Sequence, residues 1–164
     1  SCYAMKGFYR MPVVKAAREH NAEDWKRKGW VMDMVRLLSK ERYFRWFDSG
    51  DLYHPDLARK IDQVCTRTYT KHWIPTKMWD VKGLLPQIEA LKSRPNVILR
   101  RSSKHIDDVP LIRKHTSVVM SEELYYSDSY AGVRRCPAPQ QGHQCKDCRA
   151  CWDKRVLSIG YLKS

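Results

Sequence analysis

Apolar positions along this chain switch repeatedly between the spacing of a helix and that of a strand. Val13–Asn21 and Trp25–Ser39 carry helical periodicity, the second with Val31, Met34, Val35 and Leu38 on one face. Arg42–Asp48 (RYFRWFD) is aromatic-rich, as strands are, and runs into Ser49-Gly50-Asp51, a turn. Pro55 then stands where a first helical residue tolerates proline, and Leu57, Ile61, Val64 and Cys65 share a helical face. The unit repeats. His72–Thr76 predicts a short strand, Asp80 a cap, and Val81, Leu84, Leu85, Ile88 and Leu91 a helix, with Gly83 and Pro86 arguing against a regular first turn. Asn96–Arg101 (NVILRR), Ser117–Met120 (SVVM) and Val156–Tyr161 predict further strands.

Strands joined by helices favour parallel pairing, hence an α/β fold: a partial (β/α) barrel or an open, mostly parallel sheet. There are too few units for an eightfold barrel. With 164 residues, 43% of them hydrophobic, the chain can bury one core, so a single domain over 1–164 is expected; no apolar run is long enough to cross a bilayer. In such folds ligands gather at the C-terminal ends of the strands. That rule singles out Asp48, Ser49 and Asp51 after the first strand, Thr76 and Lys77 after the second, and Arg101, Ser102, Ser103 and His105 after the third. They are candidates for holding an anionic small-molecule cofactor or substrate. Each has a plainer reading as well: Asp-Ser-Gly-Asp is turn and cap chemistry, and Lys77 and His105 suit a solvated surface. No residue type stands out as a catalytic acid, base or nucleophile.

The strongest chemical signal lies near the C-terminus. Cys136-Pro137 is followed by Cys145, Cys148 and Cys151 in a CxxCxxC run. Each CxxC step lets a tight turn aim two thiolates at one inorganic core, and a third cysteine at the same step supplies a third corner. Cys136 is the nearest candidate for a fourth ligand, and its following proline suits a stiff ligand-presenting loop; Cys2 is its rival. The pattern predicts a cysteine-rich metal-binding segment over 134–155 holding a [4Fe-4S] cluster. Zinc is the alternative metal, although its sites more commonly join two separate CxxC pairs. Disulfides rank last, since no charged-then-apolar signal segment opens the chain. Cys65 falls in a helix and reads as a small buried hydrophobe.

Charge modifies this picture without deciding it. Lys and Arg number 31 against 18 Asp and Glu, a formal charge of +13, which attracts nucleic acid, a phosphate-bearing cofactor or an anionic cluster. Arg134, Arg135, Lys146, Arg149, Lys154 and Arg155 flank the cysteines and suffice to neutralise a thiolate-ligated cluster. Acidic residues interrupt the basic ones over Arg18–Lys40, so weak, non-specific nucleic-acid binding is the expectation. Six tryptophans and nine tyrosines can stack on bases or a flavin ring, but most are expected in the core. The chain opens at Ser1-Cys2 without an initiator methionine, as a processed product or fragment would.

Five stretches carry a family resemblance: Ser1–Arg10 (SCYAMKGFYR), Phe44–Leu57 (FRWFDSGDLYHPDL), Trp73–Lys77 (WIPTK), Val97–Ser103 (VILRRSS) and Cys145–Asp153 (CKDCRACWD). Together they resemble the bacteriophage gene-product-88-like proteins over almost the whole chain, above all through CYA near the start and CxxCxxCW at the end. The resemblance implies a phage- or prophage-encoded protein acting in the cytoplasm of the infected host, with a partial barrel distantly similar to the radical-SAM architecture. The N-terminal CxxxCxxC triplet of radical-SAM enzymes is absent, and only Cys2 remains of the cysteines that such relatives carry before and at CYA. Three classes follow. The first is an iron–sulfur redox protein whose cluster exchanges electrons with a flavin or S-adenosylmethionine at the strand rim. The second is a nucleic-acid-associated module with a structural iron–sulfur or zinc site, and the third a zinc-stabilised structural protein. A homo-oligomer is compatible with each.

Overall fold

A computed structural model describes residues 7–110 and 114–163 of the chain. Among the described residues six strands form one sheet in which every neighbouring pair is parallel: β1 (Tyr43–Arg45), β2 (Lys71–Thr76), β3 (Val97–Ser102), β4 (Thr116–Met120), β5 (Val133–Arg135) and β6 (Ser158–Leu162). Their order across the sheet is β1-β2-β3-β4-β6-β5, with β1 and β5 at the two edges. The sheet is open, so of the two expected architectures the open parallel sheet is the one observed. Helices α1 (Pro12–Asp24) and α2 (Trp30–Leu38) precede β1. α3 (Pro55–Thr66) joins β1 to β2, α4 (Leu85–Ser93) joins β2 to β3, and α5 (Glu122–Tyr126) lies between β4 and β5.

This order decides what lies on each face. From β1 through β5 the chain advances in one direction across the sheet, so right-handed crossovers keep the connecting helices on one face. β6 then returns to an inner position, and a crossover of the same hand must pass over the opposite face. The β5–β6 connection contains all four C-terminal cysteines. Packing follows: Ile74, Val97 and Leu99 bury against Leu57, Ile61, Val64, Ile88 and Leu91, whereas Trp73, Ile98 and Ile159 bury against Ala150 and Cys151. Alternate residues of β2 and β3 thus serve two cores, as expected of strands covered on both sides.

Local chemistry explains the boundaries. Pro55 occupies the first turn of α3, and His54 caps it, its Nδ1 accepting from the Asp56 N–H at 3.1 Å. Several elements depart from the periodicity. α2 starts at Trp30, because Trp25–Gly29 form a turn braced by Lys60 Nζ, which donates to the Trp25, Lys26 and Arg27 carbonyls at 2.7, 3.3 and 3.0 Å. β1 stops at Arg45, and Phe47 adopts φ 58°, a left-handed turn that no strand continues. Asp80 does not cap α4: a short 3-10 turn over Lys82–Leu84 leads into that helix, and the Asp80 carboxylate pairs instead with Lys104. α5 and β5, short and without clear periodicity, are additions to the expected elements.

Candidate functional site: a cysteine-lined face and a basic strand rim

The cysteine crossover is held to the sheet by one buried arginine. Arg100 points to the same face as Ile98, two residues earlier on β3, and is fully buried. Its Nε donates to the Cys151 carbonyl at 3.0 Å and its Nη1 to Leu157 O at 3.2 Å, while Nη2 reaches the Ala150, Asp153 and Val156 carbonyls at 3.0, 3.2 and 2.9 Å. No carboxylate lies in this set. A guanidinium sealed from water with carbonyl partners only is a positive charge without a bonded anion, and burial pulls it below the usual arginine range while the neighbouring Tyr161, Cys151 and Asp153 oppose that shift.

Aromatic rings close the same face. Trp152 donates its Nε1–H to Phe44 O at 3.0 Å and meets Trp73 edge-on at 5.2 Å, and Trp73 stacks on Tyr161 at 6.5 Å with 15° between planes. Cys136, Cys148 and Cys151 pack into this apolar cluster. Cys136 is fixed by its N–H to Gly160 O at 2.9 Å and by Tyr125 Oη donating to its carbonyl. Cys148 N–H turns back onto Cys145 O at 2.9 Å, the tight turn that the CxxC spacing implied. Cys151 Sγ lies 3.2 Å from the Tyr161 hydroxyl. Burial pushes the Cys151 thiol up to about 11 and raises Cys136 too, whereas the Arg100 charge favours the Cys151 thiolate. Cys145 is exposed but close enough for its charge to act on Cys136 and Cys151.

These residues suit a metal–thiolate centre in donor chemistry and counter-charge. Trp73 Nε1 adds an orphaned donor: it is buried in this cluster with no hydrogen-bond partner, and sulfur bonded to a metal is an acceptor it lacks. Among the described residues, however, no three His, Cys, Asp or Glu side chains are drawn together as a ready-made metal site. Cys2, the rival fourth ligand, lies outside the described residues. Cys65 is buried on the helical face of the sheet, far from this chemistry, with its thiol raised by burial.

The basic residues around the cysteines are largely committed. Arg135 donates to the Tyr125 and Ser127 carbonyls at 2.8 and 3.0 Å, Lys154 to Arg94 O at 3.0 Å, and Arg155 pairs with Asp153 at 2.7 Å. Arg149 bonds the Lys146 and Cys148 carbonyls and stands over the Tyr43 ring at 5.4 Å, beside Arg42 at 5.5 Å and Lys71 at 5.8 Å.

The strand rim divides into two parts. Asp51 is an internal tie: its Oδ1 accepts from Thr76 Oγ1 and from Leu52 N–H at 2.7 Å, and its Oδ2 from Lys77 N–H at 2.7 Å. Asp51, Thr76 and Lys77 therefore come together, locking the end of β2 to the β1–α3 loop. Asp48 accepts from Tyr9 Oη at 2.8 Å, and Ser49 lies in the same loop. Arg101 and Ser102 belong to the second part, a cavity of about 280 Å³ that also takes in Trp79, Lys104, His105 and Ser117. A larger surface depression of about 620 Å³ beside Trp25, Tyr53 and Lys60 is a structural seam, since its tyrosine hydroxyl and lysine are bonded to the α1–α2 turn.

The family model described as gene product 88 matches residues 1–154. The chain belongs to the gene product 88 family. No curated protein and no solved structure matches it. The family match covers every cysteine and both parts of the rim. No helix among the described residues is long and apolar enough to cross a membrane.

Arg100 was not singled out by sequence, which pointed to its neighbour Arg101. The available signal was strand alternation: in NVILRR the two arginines must face opposite sides, so one of them meets whatever covers the second face.

Proposed function

We propose that this gene product 88 protein carries a [4Fe-4S] centre on the cysteine face, held by Cys145, Cys148 and Cys151 with Cys136 or Cys2 as fourth ligand, and that it is a redox protein. The observation that carries this reading is the buried Arg100 guanidinium directly behind Cys151, which bonds five carbonyls and no carboxylate. Burying such a charge costs several kcal/mol unless an opposite charge lies close. The Asp153 carboxylate acts on it without bonding it and is itself paired with Arg155, and a cluster bound by thiolates is net negative and would supply the remaining counter-charge. When bound, the cluster supplies one-electron transfer. The protein's own part is then to seal it: Trp73, Trp152 and Tyr161 exclude water, Arg100 balances charge, and the Cys145–Cys148 turn aims the thiolates. An anionic partner at the strand rim, a flavin or S-adenosylmethionine, is the electron donor or acceptor this reading calls for.

Cysteine-to-serine variants test it, scored by iron and sulfide bound after anaerobic reconstitution. Cys145→Ser, Cys148→Ser and Cys151→Ser should each lose the cluster, and Cys65→Ser should keep it. Comparing Cys136→Ser with Cys2→Ser identifies the fourth ligand. Retention of full iron and sulfide in all three CxxCxxC variants would refute the assignment.

A second reading, a nucleic-acid-associated module with a structural iron–sulfur or zinc site, draws on the three cations over Tyr43 at the β1 edge. Fluorescence anisotropy with single-stranded and duplex DNA at two salt concentrations separates the two. A redox protein binds weakly, whereas a dedicated binder shows tight affinity with a steep salt slope.

A further inference from the structure

We propose that the β1 edge of the sheet is the docking surface for an acidic protein that carries electrons to the cysteine centre. This rests on the redox reading above and gives it a source of electrons: the carrier loses one electron and the centre gains it. Strand register sets the face. Tyr43 and Arg45 of β1 stand opposite Lys71 and Trp73 of β2, and residues in register on parallel strands point the same way, so all four lie on the face that the cysteine crossover covers. Tyr43 and Lys71 open their strands, at the end of the sheet opposite the Arg101–Ser102 rim. A protein seated here leaves the rim open to a small molecule.

Four exposed cations converge on two rings. Arg42, Lys71 and Arg149 lie over Tyr43 at 5.5, 5.8 and 5.4 Å, and Arg45 lies over Trp73 at 4.8 Å. Among the described residues none of the four pairs with a carboxylate, not even with Glu41 or Asp147 nearby in sequence. The helices treat their cations otherwise: Lys15, Arg27, Arg36 and Lys92 each pair with an acidic residue on the same or the preceding turn. Like charges gathered around one ring repel, and an acidic surface laid over them relieves that repulsion. Arginine, tyrosine and tryptophan are also the residues that dominate protein interfaces, and a planar guanidinium loses little freedom on bonding a carboxylate. The two rings themselves are taken. Trp73 is buried beneath Arg45, and Tyr43 is surrounded by three cations with Trp152 edge-on at 5.6 Å. A nucleic-acid strand finds no open face on either ring for its bases, so the carboxylates of a protein are the better match. The surface adjoins the redox chemistry: Arg149 follows Cys148 and donates to its carbonyl at 2.9 Å, and Trp152 follows Cys151.

Fluorescence anisotropy with labelled poly-glutamate and, separately, with a single-stranded oligonucleotide of equal charge tests the surface. Saturable poly-glutamate binding that weakens with salt is expected, tighter than that of the oligonucleotide. Arg42→Gln, Arg45→Gln and Lys71→Gln combined should weaken it about 10- to 100-fold, within the range over which a charged surface steers association. Arg10→Gln, Lys28→Gln and Lys82→Gln combined remove the same charge from exposed positions outside the patch and should leave it nearly unchanged. Equal weakening by the two sets, or absence of saturable poly-glutamate binding, would overturn the proposal. So would tighter binding of the oligonucleotide that is lost with the patch cations. Iron and sulfide in the same sample are read independently: binding without a cluster refutes the redox reading alone, and a cluster without binding refutes the docking surface alone.

Discussion

Replacing Arg100 by methionine keeps the length and apolar stem of the side chain and deletes its five donors. The Ala150, Cys151, Asp153, Val156 and Leu157 carbonyls, bonded at 2.9–3.2 Å in the native chain, are then left facing an apolar wall. A hydrogen bond from a charged donor nets about 1.5–3 kcal/mol. The five do not add, because the guanidinium gives up its own hydration to make them. Removing one partner from a buried charged network costs about 3–5 kcal/mol, and that is the expected loss. For a domain of this size it lowers the thermal midpoint by roughly 10 °C at about 2–4 °C per kcal/mol. Arg100→Lys, which keeps the charge but cannot span five carbonyls from one nitrogen, should fall between. Loss confined to the crossover would appear first as fast amide exchange at Trp152 and Asp153, whose N–H groups bond Arg149 O and Ala150 O. A methionine variant that melts within about 1 kcal/mol of wild type, with unchanged exchange at those amides, would refute the anchoring role.

His72 is fully buried between Trp46 Nε1–H, donating to Nδ1 at 3.2 Å, and Thr68 Oγ1 at 2.9 Å from Nε2, which fixes the neutral tautomer with the proton on Nε2. Burial lowers its pKa from 6.5 to about 4, so the unfolded chain binds the extra proton first. Its stabilisation is complete above pH 6.5 and falls by at most about 3 kcal/mol as pH drops to 4; urea midpoints across that window should show the slope, and His72→Gln should flatten it. Gly160 in β6 has no room for a side chain, a Cβ there running into Met120 Sδ and to 3.2 Å from Val133 Cγ1; Gly160→Ala should cost about 1–3 kcal/mol by overpacking, and an unchanged melting curve would contradict it. Asp51→Asn cannot accept from Thr76, Leu52 and Lys77 together, and a loss of about 1–2 kcal/mol in chemical denaturation is expected, against none if the rim loop is not tied.

Much of the fold was legible because β2, β3, α3 and the face of α4 carry strong periodicity and the proline at position 55 marks a helix start. β5 was not. Val-Arg-Arg is three residues long, with no alternation to read, and it is recruited by pairing with β6 rather than by its own propensity. Reasoning from strand ends points to Asp51, Thr76 and Lys77, and in the structure the Asp51 carboxylate bonds the Thr76 hydroxyl and the Lys77 N–H, while Arg101 and Ser102 line a separate cavity. The cysteines declared themselves by spacing. What spacing could not reveal is the face on which they lie, since that follows from strand order, or the arginine behind them, since strand register decides which of two adjacent arginines is buried.

The most direct measurement is the visible spectrum of protein purified without oxygen, read with iron and sulfide analysis of the same sample. The proposed centre predicts a brown protein with broad absorption near ~400 nm that bleaches on dithionite, and iron and sulfide in about equal amounts. A colourless protein that holds stoichiometric zinc, even after anaerobic reconstitution with iron and sulfide, would contradict it.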